Sequence, residues 1–508
     1  MITPKGLSAL FLAAALLTVP PGLAGEPAST LDQQFRTPPA QARPHVWWHW
    51  MNGNVDADGA TLDLEWMKRA GIGGVQIFEG NLETAQLVPE RLIYMSPAWK
   101  AALRSAVAKA QELGLEVAIA SSPGWSATGG PWVTPEAAMK KLVWSAVTLS
   151  GNRTRHVSLP PPPSTAGPYQ DVPQSMIKPG GDDGPAFYRD IAVLAWRTGG
   201  DTLPPARFTT GSIVVPAAMM GDDRYGETID LPFSGPDSAA WVMQSFEQPV
   251  TIRSVVVGQP GARGFGAPTP PLILLQASDD GVSFRDITAL PATRSPVRSA
   301  SFAPVTARHF RITLSAEAAR AAGSSPVASG VVMPRFPVPP SSYRLSEFRL
   351  DNAPRVHRAE EKAGFAAAPD YYALATPARA VDGAPAVGDV VDLTRHLRSD
   401  GMLDWSPPAG HWRVVRFGYS LTGHRNAPAP KEATGLEVDK LSARHVGDYA
   451  NRYFGMYRDA VGADLMGERG IRALLSDSIE SGPQNWTDTM LAEFRARQRA
   501  AGDTSGRS

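Results

Sequence analysis

No cysteine occurs among the 508 residues. Disulfides, zinc–thiolate centres, iron–sulfur clusters and cysteine nucleophiles are thereby excluded. Neither charge is in excess: 49 Lys plus Arg balance 49 Asp plus Glu. That balance, with no dense basic run, gives no electrostatic reason to expect nucleic acid or an anionic membrane as partner. Beyond the N-terminus no apolar run is long enough to span a bilayer. Internal repeats of the solenoid kind are missing. No loop has the full spacing of a phosphate-, dinucleotide- or calcium-binding motif. The glycine-rich stretch 258–266 lies within a β-rich region rather than before a helix.

The N-terminus has the order of a secretory signal. Lys5 supplies a positive start, residues 7–19 (LSALFLAAALLTV) are apolar, and Pro20, Pro21 and Gly22 break the run. Gly22 and Ala24 place small residues three and one positions before a cleavage point. The expectation is a signal peptide over 1–24, a periplasmic or secreted mature chain, and no membrane span after cleavage.

Such a length exceeds one compact core, so several domains are expected. Residues 46–50 (VWWHW), 74–78 and 115–120 read as strands. Between them, 58–70 reads as a helix with Leu62, Trp66 and Met67 on one face, and 97–113 as a helix opened by Pro97 and followed by Gly114. This βαβαβ order implies a parallel sheet with right-handed crossovers. From 140 to 197, and again from 389 to 419, the pattern is all-β. Between them, WVMQSFEQPVTIRSVVV, LILLQASDDGVSFRDI and ARHFRITL resemble a discoidin-like, galactose-binding-type jelly roll; the Asp279-Asp280-Gly281 turn and Phe310-Arg311-Ile312 carry that resemblance. Helix and strand alternate once more at 441–459, 472–476 and 487–499.

The expected fold is therefore multidomain, α/β plus all-β: a partial (β/α)8 barrel with an inserted β-sandwich and a jelly roll nested within it. The expected divisions are a signal over 1–24, the opening of the barrel over 42–138, and the first half of the sandwich over 139–205. The jelly roll follows over 206–350, the second half of the sandwich over 351–420, the barrel continuation over 421–500 and a tail over 501–508.

In (β/α)8 barrels the chemistry sits at the C-terminal strand ends. Here those ends present His49, Trp50, Asn52 and Asn54, then Glu79, then Ser121 and Ser122 with Trp125 and Trp132 beyond, then Asp477 and Glu480. Carboxyl groups beside tryptophans suit sugar chemistry. Glycoside hydrolysis needs one carboxylic acid and one base or nucleophile, and indole offers a flat apolar face for a pyranose. Glu79 reads equally well as a site residue or as a solvated or capping residue, and one of Trp47 and Trp48 must be plain core because they point to opposite faces.

The segment VWWHWMNGNVDADGATLDLEWMKRAGIGGVQIF resembles the opening of glycoside hydrolase family 106, and TGLEVDKLS and LLSDSIESGPQNWTDTMLAEF resemble two further motifs of that family. The resemblance implies removal of terminal α-L-rhamnose from polysaccharides or glycosides, with inversion at the anomeric carbon and a calcium ion at the site. It makes Glu480 the catalytic acid, lined by Asp477, Asn485 and Trp486, and makes Glu437, Asp439 and Lys440 sugar or calcium contacts; the strand ends add His49, Trp50, Asn52, Glu79 and Trp125 as substrate contacts. GLEVDK reads nearly as well as a solvated capping segment. No spacing identifies metal ligands. About four barrel strands precede Ser508 where eight are required, so a C-terminally truncated barrel is expected, its general base lying beyond the C-terminus. The alternative is a non-catalytic carbohydrate-binding protein or an inactive fragment.

Overall fold

The computed structural model describes residues 31–504 except 83, 153–155, 165–166, 168, 173–183, 200–201, 212, 234–238, 261–269, 291–292, 316–341, 368–373, 375–384, 477–478 and 480. The signal segment 1–24 and two of the expected site residues, Asp477 and Glu480, lie outside the described residues. In chain order the elements used below are β1 (His45–Met51), α1 (Ala57–Arg69), β2 (Gly74–Gly80), α2 (Pro97–Glu112), β3 (Glu116–Ala120), β4 (Lys140–Ser150), β5 (Tyr188–Thr198), β6 (Ala240–Gly258), β7 (Val297–Ser315), β8 (Val391–Asp392), β9 (His411–Leu421), α3 (Ala443–Val461), β10 (Ile471–Leu475) and α4 (Met490–Thr504).

Strands β1, β2, β3 and β10 form one parallel sheet in that order. Their order in space is their order along the chain, although about 350 residues separate β3 from β10. The helices share one face. Leu64 and Met67 of α1, Trp99, Leu103 and Val107 of α2, and Tyr449, Tyr453 and Tyr457 of α3 join Trp48, Trp50, Val75, Ile77, Val117 and Ile119 in a single core. A doubly wound sheet would reverse its strand order and carry helices on both faces; this sheet does neither. Each of the large side chains fully buried here, Trp50, Leu64, Trp99 and Leu103, contributes about 1.5–3 kcal/mol of hydrophobic stabilisation.

Local sequence explains the helices. Asp56 caps α1 by accepting from Gly59 N, and Ser96 caps α2 by accepting from Trp99 N with Pro97 in the first turn. The face of α1 differs from expectation. Ala60, Leu64 and Met67 are buried, whereas Leu62 and Trp66 are exposed. The helix carries two apolar stripes, and the sheet takes the one spaced i, i+4, i+7. Helix α4 also runs past the expected end at 499 into the segment read as tail, reaching Thr504.

Two antiparallel bodies occupy the stretch between β3 and α3. In the first, β8, β5, β9 and β4 lie side by side in that order, and β9 pairs with β4 along its whole length, from His411↔Ser150 to Leu421↔Lys140. Strands from both ends of the insertion thus share one sheet. In the second, β6 and β7 pair over their length, interrupted by register shifts between Ser245 and Val250 and between Ile252 and Ser254. Such irregularities bend and twist long strands. Val242, Ile252, Ala300, Phe310 and Ile312 fill its core.

Candidate functional site

Alternation along β1 and β2 sorts the strand-end residues. Val46, Trp48 and Trp50 face the helices with Val75, Ile77 and Glu79. Trp47, His49 and Phe78 face the opposite side, where the rings of Trp47 and His49 lie 4.8 and 5.5 Å from Phe78. Two expected sugar contacts therefore sit on the helix side. Trp50 is fully buried, with Trp48 and Trp99 against it edge-on. The neighbouring Glu79 is buried and accepts a hydrogen bond from Trp99 Nε1 at 2.6 Å. It is neither a solvated loop residue nor a helix cap. Burial pushes its carboxyl up to about 8; the Trp99 bond opposes the shift and the charge of Glu432 adds to it.

This shift has a measurable consequence. The unfolded carboxyl ionises near 4.5 and the folded one near 8, so between those values the folded state holds a proton that the unfolded state has lost. Stability falls as pH rises across that window and levels off above it. Glu79→Gln keeps an acceptor for Trp99 and cannot ionise. Denaturant unfolding at pH 5, 6, 7 and 8 is expected to show the wild type losing up to about 1.4 kcal/mol per pH unit relative to the variant. Parallel pH profiles would contradict the placement.

His49 lies on the open side, its ring 6.3 Å from Trp125 and edge-on to it. Burial lowers its pKa, and its Nε2 is buried with no hydrogen-bond partner among the described residues. Trp125 Nε1 is in the same condition; the backbone N–H of Trp125 donates to Ala427 at 3.2 Å. Asn52 does a different job. Its Nδ2 donates to Thr84 O at 3.0 Å and its Oδ1 accepts from Arg91 at 3.1 Å, stapling the segment after β2. Gly53, at φ +67, has no room for a side chain, because a Cβ would meet Leu92 O at 2.1 Å.

The GLEVDK segment comes to the same end of the sheet. Residues 436 and 438 make antiparallel bridges to Gly130 and Ala138, just past β3. Gly435 permits that approach, since a Cβ there would lie 2.0 Å from the Gly130 carbonyl. Glu437 is fully buried. Its Oε2 accepts from Lys440 Nζ at 2.6 Å and Thr128 Oγ1 at 2.7 Å, while Oε1 has no hydrogen-bond partner among the described residues. Asp439, equally buried, is saturated: Leu441 N and Gln484 Nε2 donate to Oδ1, Thr487 Oγ1 and Lys140 Nζ to Oδ2. GLEVDK is thus not a solvated segment.

Asn485 and Trp486 are anchored by protein contacts. Asn485 accepts from Leu142 N at 2.9 Å and donates to Ala363 O at 3.0 Å. Trp486 stacks on Tyr419 with ring centroids 6.1 Å apart. Near the strand ends the structure thus pairs His49 with Trp125 and Glu437 with Lys440, and gives Asn52, Asp439, Asn485 and Trp486 protein partners; Trp50 and Glu79 lie in the core on the helix side, with Trp50 Nε1 and Glu79 Oε2 lacking a hydrogen-bond partner among the described residues. Thr128, Lys140, Gln484 and Thr487 carry no signal in the sequence that marks them as partners of these residues.

The calcium implied by the family resemblance does not fit the described donors. No group of three or more His, Asp or Glu among the described residues could hold a metal. Glu437 and Asp439 each already face a lysine ammonium, which takes the place a cation would need.

Comparison with known proteins agrees with the architecture. The solved structure of a rhamnosidase from Novosphingobium sp. PP1Y superposes with a TM-score of 0.74 at 41% identity, over 92% of this chain and 41% of that one. A Formosa agariphila protein, described provisionally as a β-glucuronidase, is 24% identical over 464 residues, 91% of this chain and 25% of that protein. The chain thus spans between a quarter and about two fifths of the length of these relatives. A family model described as alpha-L-rhamnosidase matches residues 36–501. On that match, over most of its length, the chain belongs to glycoside hydrolase family 106, the α-L-rhamnosidase family.

Proposed function

We propose that this chain forms the sugar-binding and acid-supplying section of a glycoside hydrolase that releases terminal α-L-rhamnose from polysaccharides or glycosides. The observation that carries the reading is that several polar atoms near the C-terminal strand ends are buried without a hydrogen-bond partner among the described residues: His49 Nε2, Trp125 Nε1 and Glu437 Oε1, besides Trp50 Nε1 and Glu79 Oε2 on the helix side. Buried polar groups are normally paired within the protein. Open ones beside aromatic rings suit hydroxyl groups on a small, partly apolar ring. Glu437, held by Lys440 and Thr128, offers its second oxygen to a sugar hydroxyl, and neutral His49 can donate or accept.

Chemically, the reading assigns Glu480 as the acid. Its proton passes to the glycosidic oxygen as the C1–O bond breaks, while water attacks C1 from the opposite face and gives its proton to a second carboxylate, with inversion. The sequential strand order and one-sided helices support treating the parallel sheet as a section of a (β/α)8 barrel. The bulged, antiparallel body around β6 and β7 supports a galactose-binding-type jelly roll. Export rests on the N-terminal segment alone; no helix among the described residues is long and apolar enough to cross a membrane.

The test of the site is binding. Calorimetric titration with L-rhamnose should give a single site on the wild type, weakened roughly tenfold or more in Glu437→Gln, because a hydrogen bond to a charged acceptor is lost. Equal affinity in the two proteins would remove Glu437 from the site, and absence of binding to the wild type would remove the site itself.

A further inference from the structure

The segment Gln484–Thr487 is held by contacts to both the α/β body and the inserted sheet. Gln484 Nε2 donates to Asp439 and to Trp486 O, while its Oε1 accepts from Lys440 N at 3.0 Å. Thr487 Oγ1 donates to Asp439 at 2.8 Å. Asn485 and Trp486 grip the antiparallel sheet through Leu142 N and Tyr419, and residue 486 bridges to Lys140. At the centre is a buried ion pair, Lys140 with Asp439 at 3.3 Å, both side chains 0% exposed. Lys140 is the first residue of β4, so this pair joins the inserted sheet to the α/β body. Its ammonium also donates to Glu136 O and Ala138 O, and Asp488 lies 3.8 Å away.

We infer that Asp439 is a positioning residue: with Lys140 it fixes Gln484–Thr487 against the inserted sheet. The inference rests on the hydrolase reading, since the proposed acid precedes that segment by four residues in the sequence. The geometry favours positioning over ligand contact. An ionised carboxylate offers about four acceptor sites, and four protein donors fill those of Asp439, leaving none for a sugar hydroxyl. Glu437, two residues away, keeps one oxygen open. The inserted sheet is accordingly a brace for the catalytic end of the barrel strands as well as a separate body. Such braces matter because catalytic groups misplaced by about 1 Å can cost roughly 10²-fold in rate.

Thr487 is the place to test this, because Thr487→Val removes one donor to Asp439, preserves side-chain shape and leaves the Lys140–Asp439 pair intact. Amide hydrogen exchange of residues 482–492 is expected to quicken by roughly tenfold, with the rest of the chain and the melting temperature unchanged. In a hydrolase completed by its second carboxylate, turnover of a rhamnoside with an alkyl or sugar leaving group is expected to fall in kcat by roughly 10–100-fold with KM within about twofold, and Thr487→Ser to restore both properties. Wild-type exchange and kcat in the valine variant would overturn the proposal. So would a rise in KM alone, which would make Thr487 a substrate contact, or exchange raised evenly over the chain, which would make it a general stability residue. A wild type that binds no rhamnose would refute the hydrolase reading, while the exchange data would still decide for or against the brace.

Discussion

In a hydrolase completed by its second carboxylate, Glu480→Gln is expected to lower turnover of rhamnosides with alkyl or sugar leaving groups by roughly 10²–10⁴-fold, the usual contribution of a positioned general acid. Glutamine is nearly isosteric with glutamate, so fold and rhamnose binding should survive. The loss should shrink for an aryl leaving group, whose oxygen needs little protonation in the transition state. A general acid must hold its proton near working pH, which requires apolar surroundings or a neighbouring negative charge. Asp477, three residues earlier in the sequence, offers such a charge. Equal losses on activated and unactivated substrates would contradict the acid role. Activity recovered by added calcium would make Glu480 a metal ligand, and near-normal turnover with lowered stability would make it a structural residue.

The second large effect falls on stability. Lys140→Met leaves the buried Asp439 carboxyl short of its countercharge, with two backbone carbonyls also deprived of a donor. Breaking one side of a buried ion pair costs about 3–5 kcal/mol, whereas replacing both sides with apolar groups of similar volume is often neutral. Urea unfolding should therefore show a severe loss in Lys140→Met and recovery of most of it in Lys140→Met/Asp439→Leu. A single variant as stable as the wild type would show that the pair does not tie the two bodies together. Because the bodies can unfold separately, the transition should be followed with a probe in each.

The two kinds of information in the sequence explain what could be read from it. Periodicity revealed the βαβαβ start, β10 and α3, because sheet and helix burial are local patterns of period 2 and 3.6. It misled on α1, where two apolar stripes compete and only the neighbouring sheet decides between them. The strand-end rule brought His49 and Glu79 forward together, yet successive strand residues point to opposite faces. Register places the Glu79 carboxyl beside Trp99 and the His49 ring beside Trp125. Contacts across long separations were illegible: Thr128 meets Glu437 across 309 positions and Lys140 meets Asp439 across 299. Nothing in a lone threonine or lysine announces such a partner. Motif resemblance did place GLEVDK near the site, but it could not separate Glu437, with its open oxygen, from the saturated Asp439.

The central claim is that the open polar atoms at the parallel strand ends select an α-L-rhamnoside. Relatives described as a rhamnosidase and as a β-glucuronidase make the decisive measurement a direct comparison of kcat/KM on matched aryl α-L-rhamnoside and aryl β-D-glucuronide substrates. The account predicts a preference for the rhamnoside of roughly 10²-fold or more, a discrimination within reach of a site built on hydrogen bonds, and its loss in Glu437→Gln. A preference for the glucuronide, or a rhamnoside preference untouched by Glu437→Gln, would contradict it.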